Sequence, residues 1–242
     1  MASEVLTDAF MVLDELDLSG QSNSVALDYD VEILDETVFG NSTRVRKGGL
    51  FTLGMNASGF VDLADDGIDE KIFDEKIDSA SALSLVPQGE SEGNPGYTFV
   101  PNVSKYDLNL QHGALYAFEM EATNKGAKLV RGTLLGQETA ASSSSASTAR
   151  QLGAVSASQS LYASLHVISV SGGTPTLDAV VRSDDNAGMT TPTSRITFTQ
   201  ATAPTAEHLS LAGAITDDYF EINFTIGGST PVFRFVVLVG IA

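Results

Sequence analysis

Between Ser24 and Gly59 hydrophobic side chains fall at every second position, twice over. Val25, Leu27, Tyr29, Val31 and Ile33 alternate with Asp28, Asp30 and Glu32; after a break, Phe51, Leu53, Met55 and Ala57 repeat the pattern. A period of two marks a strand with one covered and one wet face. The run from Asp35 to Gly49 interrupts the pattern, so two strands of similar length flanking a long, Gly-punctuated loop are predicted. Before them, Phe10, Val12 and Leu16 around Asp14-Glu15 predict a short hairpin. After them, Ile68, Ile72, Phe73 and Ile77 recur at helical spacing. They predict one amphipathic helix of about three turns packed on a sheet. Ser84–Val86, Tyr97–Val103 with a break at Pro101, Tyr116–Ala122 and Leu129–Leu135 read as further strands, and 88–96 as a loop.

The second half contains an internal echo. Leu161–Val170 and Thr176–Arg182 flank Ser171-Gly-Gly-Thr-Pro175, and Phe220–Ile226 and Val232–Val239 flank Gly227-Gly-Ser-Thr-Pro231. Each Gly-Gly-(Ser)-Thr-Pro segment reads as the turn of a hairpin. Arg195–Thr199 and Leu209–Leu211 add two short strands. This density of strands predicts an antiparallel sandwich or jelly roll. Val232–Val239 is apolar at nearly every position, so it is expected centrally, covered on both faces.

Charge changes along the chain. Of 242 residues, 31 are acidic and 13 are Lys or Arg, giving a net charge of −18, and no Lys follows Lys128. This balance argues against binding nucleic acid or an anionic membrane through a basic surface. With no Cys, the chain holds no disulfide framework and no thiolate chemistry. The Ser/Ala run of 139–149 has little to bury and reads as a linker or surface loop. The expected division is therefore 1–137, a linker at 138–148, and a β-sandwich over 149–242.

Catalytic patterns are missing. His112, His166 and His208 lie far apart, and no serine sits in a Gly-x-Ser-x-Gly elbow. Asp62, Asp65, Asp66, Asp69 and Glu70 are the best cation candidates, followed by Asp184-Asp185-Asn186. They lack the alternating ligand pattern of a calcium loop, and a solvated acidic turn ahead of a helix accounts for the first group. No enzyme activity, metal or cofactor is expected. The cluster Arg44, Arg46, Lys47 stands out because the surrounding chain is acidic. It reads either as a solvated loop tip or as a contact for an acidic surface, the most abundant of which is another copy of this chain.

The order of features across residues 9–137 resembles the major tail (tail tube) proteins of long-tailed bacteriophages. The resemblance rests on an alternating strand, Glu36-Thr-Val-Phe-Gly-Asn-Ser-Thr-Arg44, Gly48-Gly49-Leu50, and a strand ending Ala57-Ser-Gly-Phe60. Glu36-Thr-Val-Phe stands where the family more often has a Thr-rich form. The resemblance implies a mainly β fold: a tail-tube β-sandwich or barrel with one short α-helix, followed by a C-terminal antiparallel β-sandwich, jelly-roll or Ig-like. It implies a virion protein, assembled in the host cytoplasm, whose rings stack into the conduit for DNA ejection. Hexameric rings are expected, with a trimer as the alternative. Tape-measure, tail-terminator and baseplate proteins are the implied partners. DNA would pass without specific binding, and no membrane is involved. Asp28, Asp30 and Glu32 are candidates for the lumen wall, since carboxylates repel the DNA backbone where Lys and Arg would hold it. Arg44, Arg46 and Lys47 are candidates for contacts between subunits. A competing class is a carbohydrate-binding or adhesive β-sandwich module on a virion or cell surface. The lack of Trp counts against it.

Overall fold

The computed structural model describes residues 6, 8–61, 63 and 67–242. The strands, in chain order, are β1 (Phe10–Leu13), β2 (Leu16–Asp17), β3 (Ser22–Asp35), β4 (Arg46–Phe60), β5 (Leu83–Val86), β6 (Pro95–Phe99), β7 (Pro101–Asn109) and β8 (Ala117–Asn124). They continue with β9 (Val130–Ala141), β10 (Ser145–Ala146), β11 (Arg150–Gln151), β12 (Ser160–Asp184), β13 (Thr193–Thr197), β14 (Thr205–Ala212) and β15 (Tyr219–Ile241). A short helix α1 (Ile68–Lys71) precedes β5. The chain is mainly β, as its alternation predicts, and divides into two compact units. One consists of Met1–Gly20, Ala80–Val100 and Val130–Ala242; the other of Gln21–Ser79 and Pro101–Leu129.

The first unit is built on two very long strands. β12 and β15 pair antiparallel along their whole length, from Leu161 opposite Ile241 to Asp184 opposite Tyr219. The two Gly-Gly-(Ser)-Thr-Pro segments therefore do not close hairpins. They face each other across the ladder, Gly173 opposite Ser229, and the register shifts on either side of them. There both strands fold over. Phe224 and Phe235 belong to one strand, and a straight strand would hold them about 36 Å apart; their ring centroids lie 5.1 Å apart, edge to face. Gly172 and Gly228 have φ of 109° and 117°, a region that favours glycine. A Cβ at Gly172 would come within 2.6 Å of the Thr230 carbonyl oxygen, and one at Gly228 within 2.7 Å of that of Thr174. The echo in the sequence is thus a matched pair of corners, and the halves of each strand form opposite layers of a sandwich.

Between the layers lie Leu161, Leu165 and Val167, Leu177 and Val181, Phe220 and Ile222, Phe233, Phe235 and Val237. The second face of the β15 half after the corner is covered too. Val236 and Leu238 pack with Phe10, Val12, Val86 and Leu134. Phe235–Val239 is accordingly central, between β12 and β9, as the nearly continuous apolarity of Val232–Val239 predicts, while Val232 itself is exposed.

The boundary read from the Ser/Ala run falls elsewhere. β9 runs through it to Ala141, paired with β15 from Gly132 opposite Gly240 to Ala141 opposite Phe233. Beyond it the serines stitch the chain to the other half of β15. The Ile226 N–H donates to Ser144 Oγ at 2.9 Å, and the Ile222 N–H to Ser147 Oγ at 2.9 Å. A hydroxyl-rich run that buries little apolar surface serves here to satisfy a strand's backbone, not to link two domains.

The second unit is a four-stranded antiparallel sheet in the order β3-β4-β8-β7. Leu53, Met55 and Ala57 of β4, Phe118, Met120 and Ala122 of β8, and Val103 of β7 are buried. The helical segment is shorter than its spacing predicts. α1 runs directly into a π-turn, Ile72–Lys76. Ile68, Ile72 and Lys76 are buried while Phe73 and Ile77 are exposed. Bonding five residues apart rotates the later positions away from the face that 3.6-residue spacing implies.

Candidate assembly surface

Only the base of the second unit's sheet is covered. Register places Val25, Leu27, Tyr29 and Val31 opposite Ala57, Met55, Leu53 and Phe51. The two apolar rows therefore share a face. β8 ends against Gly54, so beyond that point β3 and β4 continue as a two-stranded ribbon. On it Tyr29, Val31, Ile33 and Phe51 are exposed, and at its tip Val38 is 67% and Phe39 109% exposed. Of the exposed large hydrophobic side chains among the described residues, all but Leu6 and Val232 belong to this unit. Isolated two-stranded ribbons are marginal in water, and a contiguous apolar surface of this kind marks an interface.

The opposite face of the sheet is acidic. Asp28 opposes Gly54 and Asp30 opposes Thr52; Asn56 opposes Glu121, Ser58 opposes Glu119, and Asp107 opposes Glu119. Lys105 is the one base in this group. Its Nζ lies 2.9 Å from Asp107 and 3.4 Å from Glu121, and these carboxylates, Asp107 foremost, raise its pKa. Asp28, Asp30 and Glu32 are all exposed. Glu32 stands at a bulge, where a Cβ on Gly49 would meet its Oε2 at 3.0 Å.

Among the described residues, both edges of this sheet are open. β3 pairs on one side only, over its whole length. β7 is bridged at Val103 by Ile77 and is open beyond it. A long regular edge with unpaired N–H and C=O groups is a template for another strand.

The basic cluster lies at the far end of the ribbon. β4 begins at Arg46, earlier than the hydrophobic pattern implies, so the loop narrows to residues 36–45. The tip is tied by its own backbone: Glu36 N–H donates to the Val45 carbonyl, and Val45 N–H to Thr37 Oγ1. Asp35 accepts from the Thr37 N–H at 2.9 Å, and Thr37 holds its carboxyl below the ordinary value. Lys47 Nζ lies 3.6 Å from Glu36 within the same hairpin. Arg44 and Arg46 make no ion pair among the described residues.

Asp62, Asp65 and Asp66 lie outside the described residues. Asp69 accepts a hydrogen bond from Tyr106 Oη at 3.0 Å. Asp184 accepts the N–H groups of Asn186 and Thr191, which closes its loop. Among the described residues no group of three or more His, Asp or Glu is arranged to hold a metal ion.

The first unit holds a buried polar chain that spacing alone does not reveal. His166 Nδ1 lies 2.7 Å from the Asp14 carbonyl oxygen and Nε2 2.8 Å from Ser84 Oγ. Ser84 meets Thr98, Thr98 meets Ser164 at 2.6 Å, and Ser164 meets His208 Nδ1 at 2.7 Å. A carbonyl only accepts, so Nδ1 of His166 carries the proton and Nε2 accepts from Ser84. This is the geometry of an activated hydroxyl, but Ser84, Thr98, Ser164 and His166 are all at most 1% exposed. No substrate reaches them, and the chain's role is to satisfy polar groups inside the fold. Burial draws His166 down to about 4, partly offset by the Asp14 carbonyl, and lowers His208 as well. The sequence signal was the polar pair Ser164 and His166 on the second face of an otherwise apolar strand.

No protein-family model matches the chain, and no curated protein matches it. Among solved structures it is similar to a chain in the virion of a native gene transfer agent particle, at 16% identity and a TM-score of 0.42, covering 52% of this chain and 97% of that one. It is likewise similar to a chain in the tail of an empty gene transfer agent particle with C6 symmetry, at 15% identity and a TM-score of 0.40, with coverage of 52% and 97%. The Dit protein of SPP1 is described as a paradigm of the hub adsorption apparatus in phages infecting Gram-positive bacteria. It matches over 97% of this chain and 99% of that one, at 11% identity and a TM-score of 0.37.

Proposed function

We propose that this protein is a structural subunit of a phage-type virion tail, and specifically a tube subunit whose copies form rings that stack into a conduit. One observation carries the reading: the second unit exposes two open sheet edges and an apolar ribbon that nothing else in the described chain covers. Pairing β3 of one copy with β7 of the next satisfies both edges and, repeated round a ring, closes the sheet on itself. The acidic face carrying Asp28, Asp30, Glu119 and Glu121 then forms the inner wall, and Glu32 extends it along β3. Such a wall repels phosphate, so DNA slides without being held. The tail-tube resemblance of residues 9–137 agrees with this, and a hexamer is the ring we favour. The first unit is self-contained in its own core.

Electron microscopy of the purified protein tests the reading. Rings or tubes with a central channel are expected. Single rings that never stack would restrict the role to a ring component such as a hub. Discrete monomers at every concentration and salt would overturn it.

A further inference from the structure

On β12, Leu161, Ala163, Leu165 and Val167 belong to the core between the layers. Side chains alternate along a strand, so Ser164 and His166 share the second face. Register sets Ser164 opposite His208 of β14 and Leu238 of β15, and His166 opposite Val236. β14 pairs with β12 alone, which makes it an edge. The buried polar chain therefore runs from a half-buried histidine on an edge strand to one with 0% exposure.

The hydrogen bonds fix where its protons sit. His166 Nε2 takes the Ser84 hydroxyl proton, because Nδ1 already donates to the Asp14 carbonyl. Ser84 then has no proton for Thr98. The Thr98 hydroxyl divides its own between Ser84 Oγ at 3.1 Å and the Leu83 carbonyl at 3.0 Å. Ser164 is left to donate to Thr98, and His208 Nδ1–H to Ser164. His208 Nε2 is thus a bare lone pair, and it has no hydrogen-bond partner among the described residues.

We propose that this chain, beyond satisfying polar groups, is a proton relay through which acid reaching His208 at the sheet edge charges His166 in the core. A proton binds His208 Nε2. His208 Nδ1 passes its proton to Ser164, Ser164 to Thr98, Thr98 to Ser84, and Ser84 to His166 Nε2. Each hydroxyl gains one proton and gives one up. His208 ends neutral with its proton on Nε2, His166 ends as the imidazolium, and the hydrogen bonds between them point the other way. Of the groups facing His166, Glu15 favours the charge and His208 opposes it. The Asp14 carboxylate is taken by the Ser81 and Ala82 N–H groups at 2.8 Å. β5, β6 and β15 present Ser84, Thr98, Val236 and Leu238, and Glu207 beside His208 is held by Thr199. Burial lowers both histidines, so the chain is neutral at pH 7 and responds on acidification. An imidazolium in an apolar core is costly, so acid admitted at the edge loosens the unit from within.

Magic-angle-spinning NMR of the full chain labelled with nitrogen-15 histidine reads the tautomers, in dispersed protein and particles alike. At pH 7 both His166 and His208 are expected to carry the proton on Nδ1, with H112Q and H208Q giving the assignment. A proton on Nε2 of His208 would overturn the relay. S164A removes the middle hydroxyl. A merely structural serine would make unfolding faster both in urea at pH 7 and in acid. The relay predicts no slowing in urea, but several-fold slower unfolding than wild type after a stopped-flow jump from pH 7 to pH 4, because His166 is no longer charged before the fold opens. Acid unfolding at or above the wild-type rate would overturn the proposal. T98V breaks the same chain with little change of shape, and is held to the same outcome should S164A not fold.

Discussion

Tyr29 and Phe51 stack face to face, ring centroids 5.4 Å apart and planes 7° apart, on a ribbon that no other part of the described chain covers. They form a diagonal cross-strand pair, and such pairs contribute up to about 1 kcal/mol within a ribbon. Their remaining surface is available to a partner. Replacing both, as Y29S/F51S, is expected to leave the melting temperature of the first unit unchanged. The concentration needed for assembly should rise at least about ten-fold, since each lost aromatic contact is worth about 1–2 kcal/mol. Sedimentation across a concentration series measures this.

Charge at the ribbon tip is separable from its apolar surface. The triple charge reversal R44E/R46E/K47E should fold as a soluble protein yet fail to polymerise. Raised salt should weaken wild-type assembly through the same contacts. Each exposed pair contributes only about 0–1 kcal/mol, so the effect depends on repetition round a ring. Normal assembly by the triple variant would return the tip to a solvated loop.

Acid should destabilise the first unit through His166. Its pKa in the folded protein is drawn down to about 4, chiefly by burial, below the ordinary value near 6.5. The neutral form is favoured on folding, so its contribution is fully present above pH 6.5 and is lost as pH falls toward 4. The loss over that window is about 3 kcal/mol, and His208 shifts in the same direction. Urea midpoints measured between pH 7 and 4 should fall accordingly. H166N, whose side-chain N–H can still reach the Asp14 carbonyl, should flatten the dependence by at least half. An unchanged slope would assign it to other groups.

Much of this fold was legible because alternation reads out strands whatever their partners. The β3–β4 and β1–β2 hairpins and β8 follow from it, and the loss of alternation toward Val239 marks the two-sided burial of Phe235–Val239. Partnership was not legible. A Gly-Gly-Thr-Pro segment encodes a change of direction, and nothing local separates a hairpin turn from a corner where two long strands fold together. The Ser/Ala run looks like a linker because its hydroxyls reveal nothing of the backbone they will meet. The π-turn at Ile72–Lys76 altered the helix phase without altering the spacing. At the assembly surface the exposure of Asp28, Asp30 and Glu32 was legible from alternation. The acids that share the face with Asp28 and Asp30 come from β7 and β8, a register the sequence does not announce.

A truncation separates the two divisions of the chain. A fragment ending at Glu138 deprives β9 of β15 and leaves Phe10, Val12, Val86 and Leu134 without Val236 and Leu238. It is expected to lack a cooperative thermal transition in near-ultraviolet circular dichroism. A cooperative, soluble fragment would restore the boundary at the Ser/Ala run.

We expect the second unit's sheet to continue from copy to copy. An image reconstruction of the assembled protein at a resolution that separates strands tests it most directly. The claim requires β3 of each copy to pair with β7 of its neighbour in a closed ring, with Asp28 and Asp30 on the channel wall. A reconstruction in which β3 faces solvent, or in which Asp28 and Asp30 lie on the outer wall, would contradict it.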